Sequence, residues 1–219
     1  IDKALNGDNK FTKALGAAYE KSGYHMLGFL QNATYRLTTA KKDLKDLAAF
    51  KSLKIRTMEN SNHMKFWKAI GAEPTPLAWA EVYFALQTGT IDAQENAADT
   101  CAGANLNEVQ KYLACTNHIL YLNQILINGK KYKSLPEPYK AALNKAVKEA
   151  LKEMAPQLTK LDKDNKAKLA KGGMKIIEYK ADFFNGILNL KTVQALYKDI
   201  DKQVGGLGTL LTTELKAAK

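Results

Sequence analysis

The sequence predicts an α/β fold built on a sheet with crossover connections, and three observations carry that prediction. Over the first three quarters of the chain, an amphipathic helical segment, a glycine and a short apolar stretch alternate repeatedly. From Glu137 the texture changes to one long helical stripe. An apolar share of 46% over 219 residues supplies a core for one large domain or two small ones.

The elements follow in order. Asp8 is a good N-cap and predicts a helix ending at Gly23. Tyr24 to Leu30 reads as a strand, and Gln31 to Thr39 as a polar stretch. A short helix is expected from Asp43 to Lys51, then a strand from Leu53 to Thr57 that alternates apolar and polar residues. Ser61 opens a helix that stops at Gly71, and Pro74 and Pro76 force an extended run. Glu81 to Gln87 reads as helix with Gly89 as its C-cap, Thr90 to Ala93 as strand, and Ile119 to Ile127 as a longer strand.

Beyond Glu137, Leu143, Val147, Leu151, Met154, Leu158 and Leu161 recur at three- and four-residue steps, which is one face of a helix. Pro156 lies inside that stripe and should kink or interrupt it. The pattern stops at Gly172-Gly173, and a strand from Met174 to Tyr179 and one or two final helices complete the chain.

Composition narrows the function. No stretch approaches the roughly 20 apolar residues that span a bilayer. The net charge is +11, yet only Arg36 and Arg56 among the 33 basic residues are arginine. Lysines scattered beside Asp and Glu make a solvated surface. Nucleic acid is not expected as a partner, because arginine supplies the commonest specific base contact. Two arginines in a lysine-rich chain suit a carboxylate, which a planar guanidinium grips in a bidentate way. Cys101 and Cys115 form either one disulfide or two buried thiols, and with His118 they make no convincing zinc site. The enzyme reading finds His63, Glu81 and Glu95 as acid–base candidates but no nucleophile or phosphate-loop motif, and the three histidines read as isolated. No enzyme activity and no cofactor are expected. The competing reading is a basic surface module that binds polyanions.

Residues 81 to 96 run Glu-Val-Tyr-Phe-Ala-Leu-Gln-Thr-Gly-Thr-Ile-Asp-Ala-Gln-Glu-Asn. This closely resembles the E-V-Y-x-A-L-Q-x-G-x-V-D-G-x-E-N-P signature of the DctP-type solute-binding proteins of TRAP (tripartite ATP-independent periplasmic) transporters. Leu53-Lys54-Ile55-Arg56 with Asn60, Gly71 to Pro76, and Glu108 to Leu113 resemble three further stretches of that family in the same order. The resemblance implies a two-lobed periplasmic binding protein-like fold with a long kinked helix spanning both lobes. It places residues 1–33 and 122–155 in lobe I, and residues 34–121 and 156–219 in lobe II with the C-terminal helices. It also implies that the family's N-terminal stretch has no counterpart here, so that an incomplete lobe would invite dimerisation or domain exchange.

By the same resemblance the protein is periplasmic and captures a small organic acid between its lobes for the TRAP membrane subunits. The acid is a C4-dicarboxylate, a keto acid or a sugar acid. The family's carboxylate-pairing arginine falls on Arg56, and a second arginine, before Leu37-Thr38-Thr39, falls on Arg36. The aromatic wall falls on Trp79 and the asparagine of the E-N pair on Asn96, while Glu59 is placed to touch ligand hydroxyls. Ala93 and Ala97 stand where the signature has glycine and proline.

Overall fold

A computed structural model describes residues 1–218, and the side chains of all of these except 31–33. The chain folds into two compact units. One comprises Ile1–Ala33, Tyr121–Thr159 and Ile200–Lys219; the other comprises Thr34–Leu120 and Lys160–Asp199.

The elements are α1 (Asp2–Asn6), α2 (Lys10–Lys21), β1 (Tyr24–Ala40), β2 (Lys54–Thr57), α3 (Ser61–Ala69), β3 (Glu73–Pro76), α4 (Trp79–Thr88), β4 (Ala93–Asn96) and α5 (Ala98–Gly103). They continue as β5 (Tyr112–Asn128), α6 (Gly129–Ser134), α7 (Glu137–Lys171), β6 (Lys175–Ile177), α8 (Ala181–Leu188), α9 (Lys191–Gln203) and α10 (Leu207–Ala217).

In the first unit, α2 starts with a reciprocal capping box. The Asn9 side chain accepts from the Thr12 N–H and the Thr12 hydroxyl accepts from the Asn9 N–H. The last helix returns to this unit, where Glu214 accepts the Lys10 backbone N–H at 3.2 Å. Residues 200–219 therefore group with the first unit, not with lobe II where the sequence reading put them. A cavity of 650 Å³ in this unit is lined by Leu5, Asn6, Met26, Phe29, Lys148 and Leu151 among others. Beside it His25 stacks on Tyr132 at 3.6 Å.

The second unit contains the sheet, with strand order β3-β2-β4-β1-β5-β6. Strand β2 is parallel to β3 and to β4, β5 is parallel to β6, and β1 runs antiparallel to β4. One face buries Leu37, Val82, Leu86, Cys101, Leu113, Leu169 and Met174 beneath α4, α5 and the end of α7. The opposite face buries Ala40, Phe50, Ile55, Trp67, Ala93 and Ile187 beneath α3 and α8. Burial of this kind is the main favourable term in holding helices to a sheet.

Four expectations need correction. The polar stretch ending at Thr39 is the second half of β1. The strand expected at Thr90 to Ala93 is displaced to β4, Ala-Gln-Glu-Asn, all four buried. These are interior strands whose polar side chains pair with one another, so neither shows the alternation that marks a half-buried strand. The expected helix at Asp43 to Lys51 shrinks to a 3-10 turn, Leu47–Phe50, capped by Asp46. Helix α7 runs unbroken for 35 residues with Pro156 inside it, so the proline does not interrupt it.

Candidate ligand-binding site

Register puts the predicted residues at one edge of the sheet. Strands β2, β3 and β4 are mutually parallel and end at Thr57, Pro76 and Asn96. Ligands of open α/β sheets sit outside such carboxyl ends. Arg56 lies in the last half of β2, and Glu95 and Asn96 close β4.

Alternation then divides the residues between two faces. Thr38 is opposite Glu95 and Leu37 is opposite Asn96, so Arg36, Thr38 and Glu95 share the α3 face. Arg56 is opposite Gln94, which puts Arg56, Gln94 and Asn96 on the α4 face. The structure thus groups Arg56 with Trp79 and Asn96, while Arg36 approaches the same edge from the other face.

On the α3 face, Glu95 is fully buried and binds Arg36 through both carboxylate oxygens. Arg36 Nε donates to Oε2, and Nη2 donates to Oε1 at 2.8 Å and to the Glu95 carbonyl at 3.1 Å. His118 Nε2 lies 3.1 Å from Oε2, and because a carboxylate only accepts, this nitrogen donates. Its Nδ1 is 2.9 Å from Thr116 Oγ1, which is 3.0 Å from Thr38 Oγ1. Phe66 and Trp67 of α3 hold the imidazole by stacking at 5.8 Å and by an edge contact at 4.9 Å. Burial would raise the Glu95 carboxyl, but hydrogen bonds from His118 and Arg36 outweigh it and hold the group below its ordinary range.

A second histidine joins this cluster. His63, in the first turn of α3, places Nδ1 3.9 Å from Glu95 Oε1, too far for a hydrogen bond. The same Nδ1 is buried and has no hydrogen-bond partner among the described residues. Burial lowers the pKa of His63, although Glu95 pulls it back up. His63 and His118 are therefore not isolated, as the sequence suggested. They converge on one carboxylate through the register of β4 and the position of α3, which no local pattern shows.

On the α4 face, Arg56 is 4% exposed. Its Nε donates to the Leu77 carbonyl at 2.8 Å, and its guanidinium carbon lies 5.5 Å from the centre of the Trp79 ring. Among the described residues Arg56 has no ion-pair partner. Glu95 is thus engaged by Arg36, and Arg56, on the opposite face of the sheet, has no carboxylate of its own among the described residues. Asn96 is 8% exposed, and its Oδ1 accepts the Ala97 N–H at 3.3 Å. A proline at position 97 has no such donor, so the departure from the signature ties the carboxamide locally. Trp79 begins α4 and is 40% exposed. Glu59 is exposed in the loop between β2 and α3.

Cys101 and Cys115 are free and buried. Burial pushes both thiols up to about 12. Among the described residues no cluster of three His, Cys, Asp or Glu is arranged to hold a metal ion.

The carboxyl edge of the sheet thus presents a buried guanidinium, without an ion-pair partner among the described residues, beside an aromatic ring and a carboxamide. Residues 2–203 match DctP, the bacterial extracellular solute-binding protein family 7, and the chain belongs to that family. It is 35% identical over 143 residues to the 2,3-diketo-L-gulonate-binding periplasmic protein YiaO of Escherichia coli, covering 65% of this chain and 44% of that protein. A TRAP periplasmic solute-binding protein from Ochrobactrum anthropi superposes with a TM-score of 0.89 at 27% identity, over 96% of this chain and 66% of that one. A Haemophilus influenzae relative with bound L-gulonate gives a TM-score of 0.81 at 27% identity, over 96% and 68%. The chain spans about half the length of the curated relatives it matches. No helix of the described residues is long and apolar enough to cross a membrane.

Proposed function

We propose that this chain belongs to a periplasmic receptor that captures a small organic acid and delivers it to a TRAP-type membrane transporter, without itself catalysing a reaction. The observation that carries this reading is Arg56. It is a buried guanidinium with no carboxylate partner among the described residues, oriented by the Leu77 carbonyl and Trp79. Burying an unpaired charge is costly, and a ligand carboxylate on the free N–H groups would relieve that cost.

The other residues take roles that suit their chemistry. Trp79 supplies an apolar wall, and Asn96 donates its carboxamide N–H to an oxygen of the acid. Arg36, with Nε and Nη2 committed to Glu95, offers Nη1 to a second oxygen. Glu59 lies beside the edge for a ligand hydroxyl. The ligand is a carboxylate of the dicarboxylate, keto-acid or sugar-acid kind; YiaO and the Haemophilus influenzae relative are described with sugar acids. The polyanion alternative is disfavoured because both arginines are buried, at 6% and 4% exposure, where a phosphate backbone does not reach.

The test is a thermal-shift screen of small organic acids against the chain and its Arg56→Lys variant. A rise in melting temperature with one acid class, lost in the variant although charge is kept, is the expected outcome. A shift that survives unchanged in Arg56→Lys would sink the assignment.

A further inference from the structure

The dicarboxylate, keto-acid and sugar-acid readings differ in what lies next to the carboxylate, and one residue at the edge is placed to tell them apart. Arg36, Arg56 and the Asn96 amide are hydrogen-bond donors, so they accept carboxylate, keto and hydroxyl oxygens alike. Discrimination needs an acceptor at the edge besides Glu59, which is exposed in the loop before α3.

His63 can be that acceptor. It stands on the first turn of the helix that follows β2, six residues after the strand ends at Thr57, and hence at the carboxyl edge. Its Nδ1 is buried and faces Glu95 Oε1 at 3.9 Å, while 18% of its side chain remains exposed. No hydrogen bond forms at 3.9 Å, but the negative charge of Glu95 favours an N–H over a lone pair at the nearer nitrogen, which leaves the lone pair on Nε2. The charged or titratable groups facing the ring from neighbouring strands are Glu95 of β4, Arg36 of β1 and His118 of β5. Burial, with Arg36 and His118, favours the neutral ring, and only Glu95 opposes them.

We propose that neutral His63 is a specificity-determining residue that accepts a hydrogen bond from a ligand hydroxyl through Nε2, and that the receptor therefore prefers hydroxy acids to their keto or deoxy counterparts. This rests on the receptor reading and deepens it. A keto oxygen has no proton to offer Nε2 and would meet it lone pair to lone pair; a methylene would leave it unpaired. Protonation of His63 turns the acceptor into a donor. The preference for the hydroxy acid must then shrink as the pH falls through the titration range of His63.

The experiment is calorimetric titration with L-lactate, pyruvate and propionate, and with L-malate, succinate and L-gulonate, at pH 7.5 and at steps below it. It uses the chain, His63→Phe, His63→Gln and Arg56→Lys. The expected result at pH 7.5 is about tenfold tighter binding of the hydroxy acid than of its counterpart, the size of one net hydrogen bond. That preference disappears in His63→Phe, returns in His63→Gln and, in the parent only, narrows as the pH is stepped down below 6.5 through the titration of His63. In the parent, nitrogen-15 NMR of the ring shows Nε2 moving when the hydroxy acid binds. If Arg56→Lys abolishes binding but His63→Phe keeps the preference, or Nε2 does not move, this inference is overturned and the receptor reading stands. If none of the six acids binds the parent, both are overturned.

Discussion

The pairing of Arg36 with Glu95 determines how the two arginines divide their work. A bidentate contact to a fully buried carboxylate makes Arg36 part of the framework and leaves Arg56 as the uncompensated cation. Glu95→Gln removes the carboxylate that compensates the buried Arg36 guanidinium. The expected loss of stability is about 3–5 kcal/mol, the usual result of breaking a buried pair from one side, read as a lower midpoint in denaturant. The pH dependence follows from the lowered carboxyl of Glu95. Its contribution is complete above the ordinary value of 4.5 and is lost as pH falls through the lower folded value. His63 acts in the same direction, because its lowered pKa lets the unfolded chain take up a proton first as pH drops below 6.5. Acid unfolding should therefore be shallower in Glu95→Gln, and an unchanged slope would contradict this account.

Helix α4 is the element that aims Arg56. Its first residue, Trp79, lies against the guanidinium, and Leu77 just before it accepts from Nε. The helix ends at Gly89, which adopts φ 78° and ψ 15° and turns the chain towards β4. An added Cβ would meet nothing closer than Lys41 Nζ at 4.0 Å, so the constraint is conformational and not steric. Gly89→Ala should cost about 1 kcal/mol through the left-handed backbone, visible as a lower melting temperature with ligand affinity kept. An unchanged melting temperature would show that the turn relaxes to another conformation. At this scale the sequence was legible where an element has one wet face: α2, α3, α4 and the α7 stripe were all anticipated. It was not legible in the second half of β1 or in β4. There Thr38, Thr39, Gln94 and Glu95 are buried by pairing with other polar groups, which hydropathy reads as loop.

For the whole molecule, the two units are linked by four chain passages, within β1, β5, α7 and α9. The resemblance to TRAP receptors implies closure on the ligand, with the bound acid favouring the closed form. X-ray scattering should then show a smaller radius of gyration with a saturating acid, and Arg56→Lys should show no contraction at the same concentration. An unchanged radius with ligand demonstrably bound would refute closure in this chain. A contraction driven by the buried Arg56 should persist at raised salt, because buried charges are screened far less than the exposed lysines.

By itself the sequence determined the α/β class, the order of most elements and the family, and it named Arg36, Arg56, Trp79, Asn96 and Glu59 as candidates for a ligand site. Each of these is a local matter of periodicity, turn residues or motif, and motifs survive without knowledge of what lies opposite. Only the tertiary structure decided that Arg36 is neutralised by Glu95, that Arg56 is not, and that His63 and His118 meet at the same carboxylate. Those facts depend on strand register and helix placement, which bring residues 36, 63, 95 and 118 together from four separate elements. The energy of a buried charge depends on its neighbours in space, and a linear pattern does not contain them.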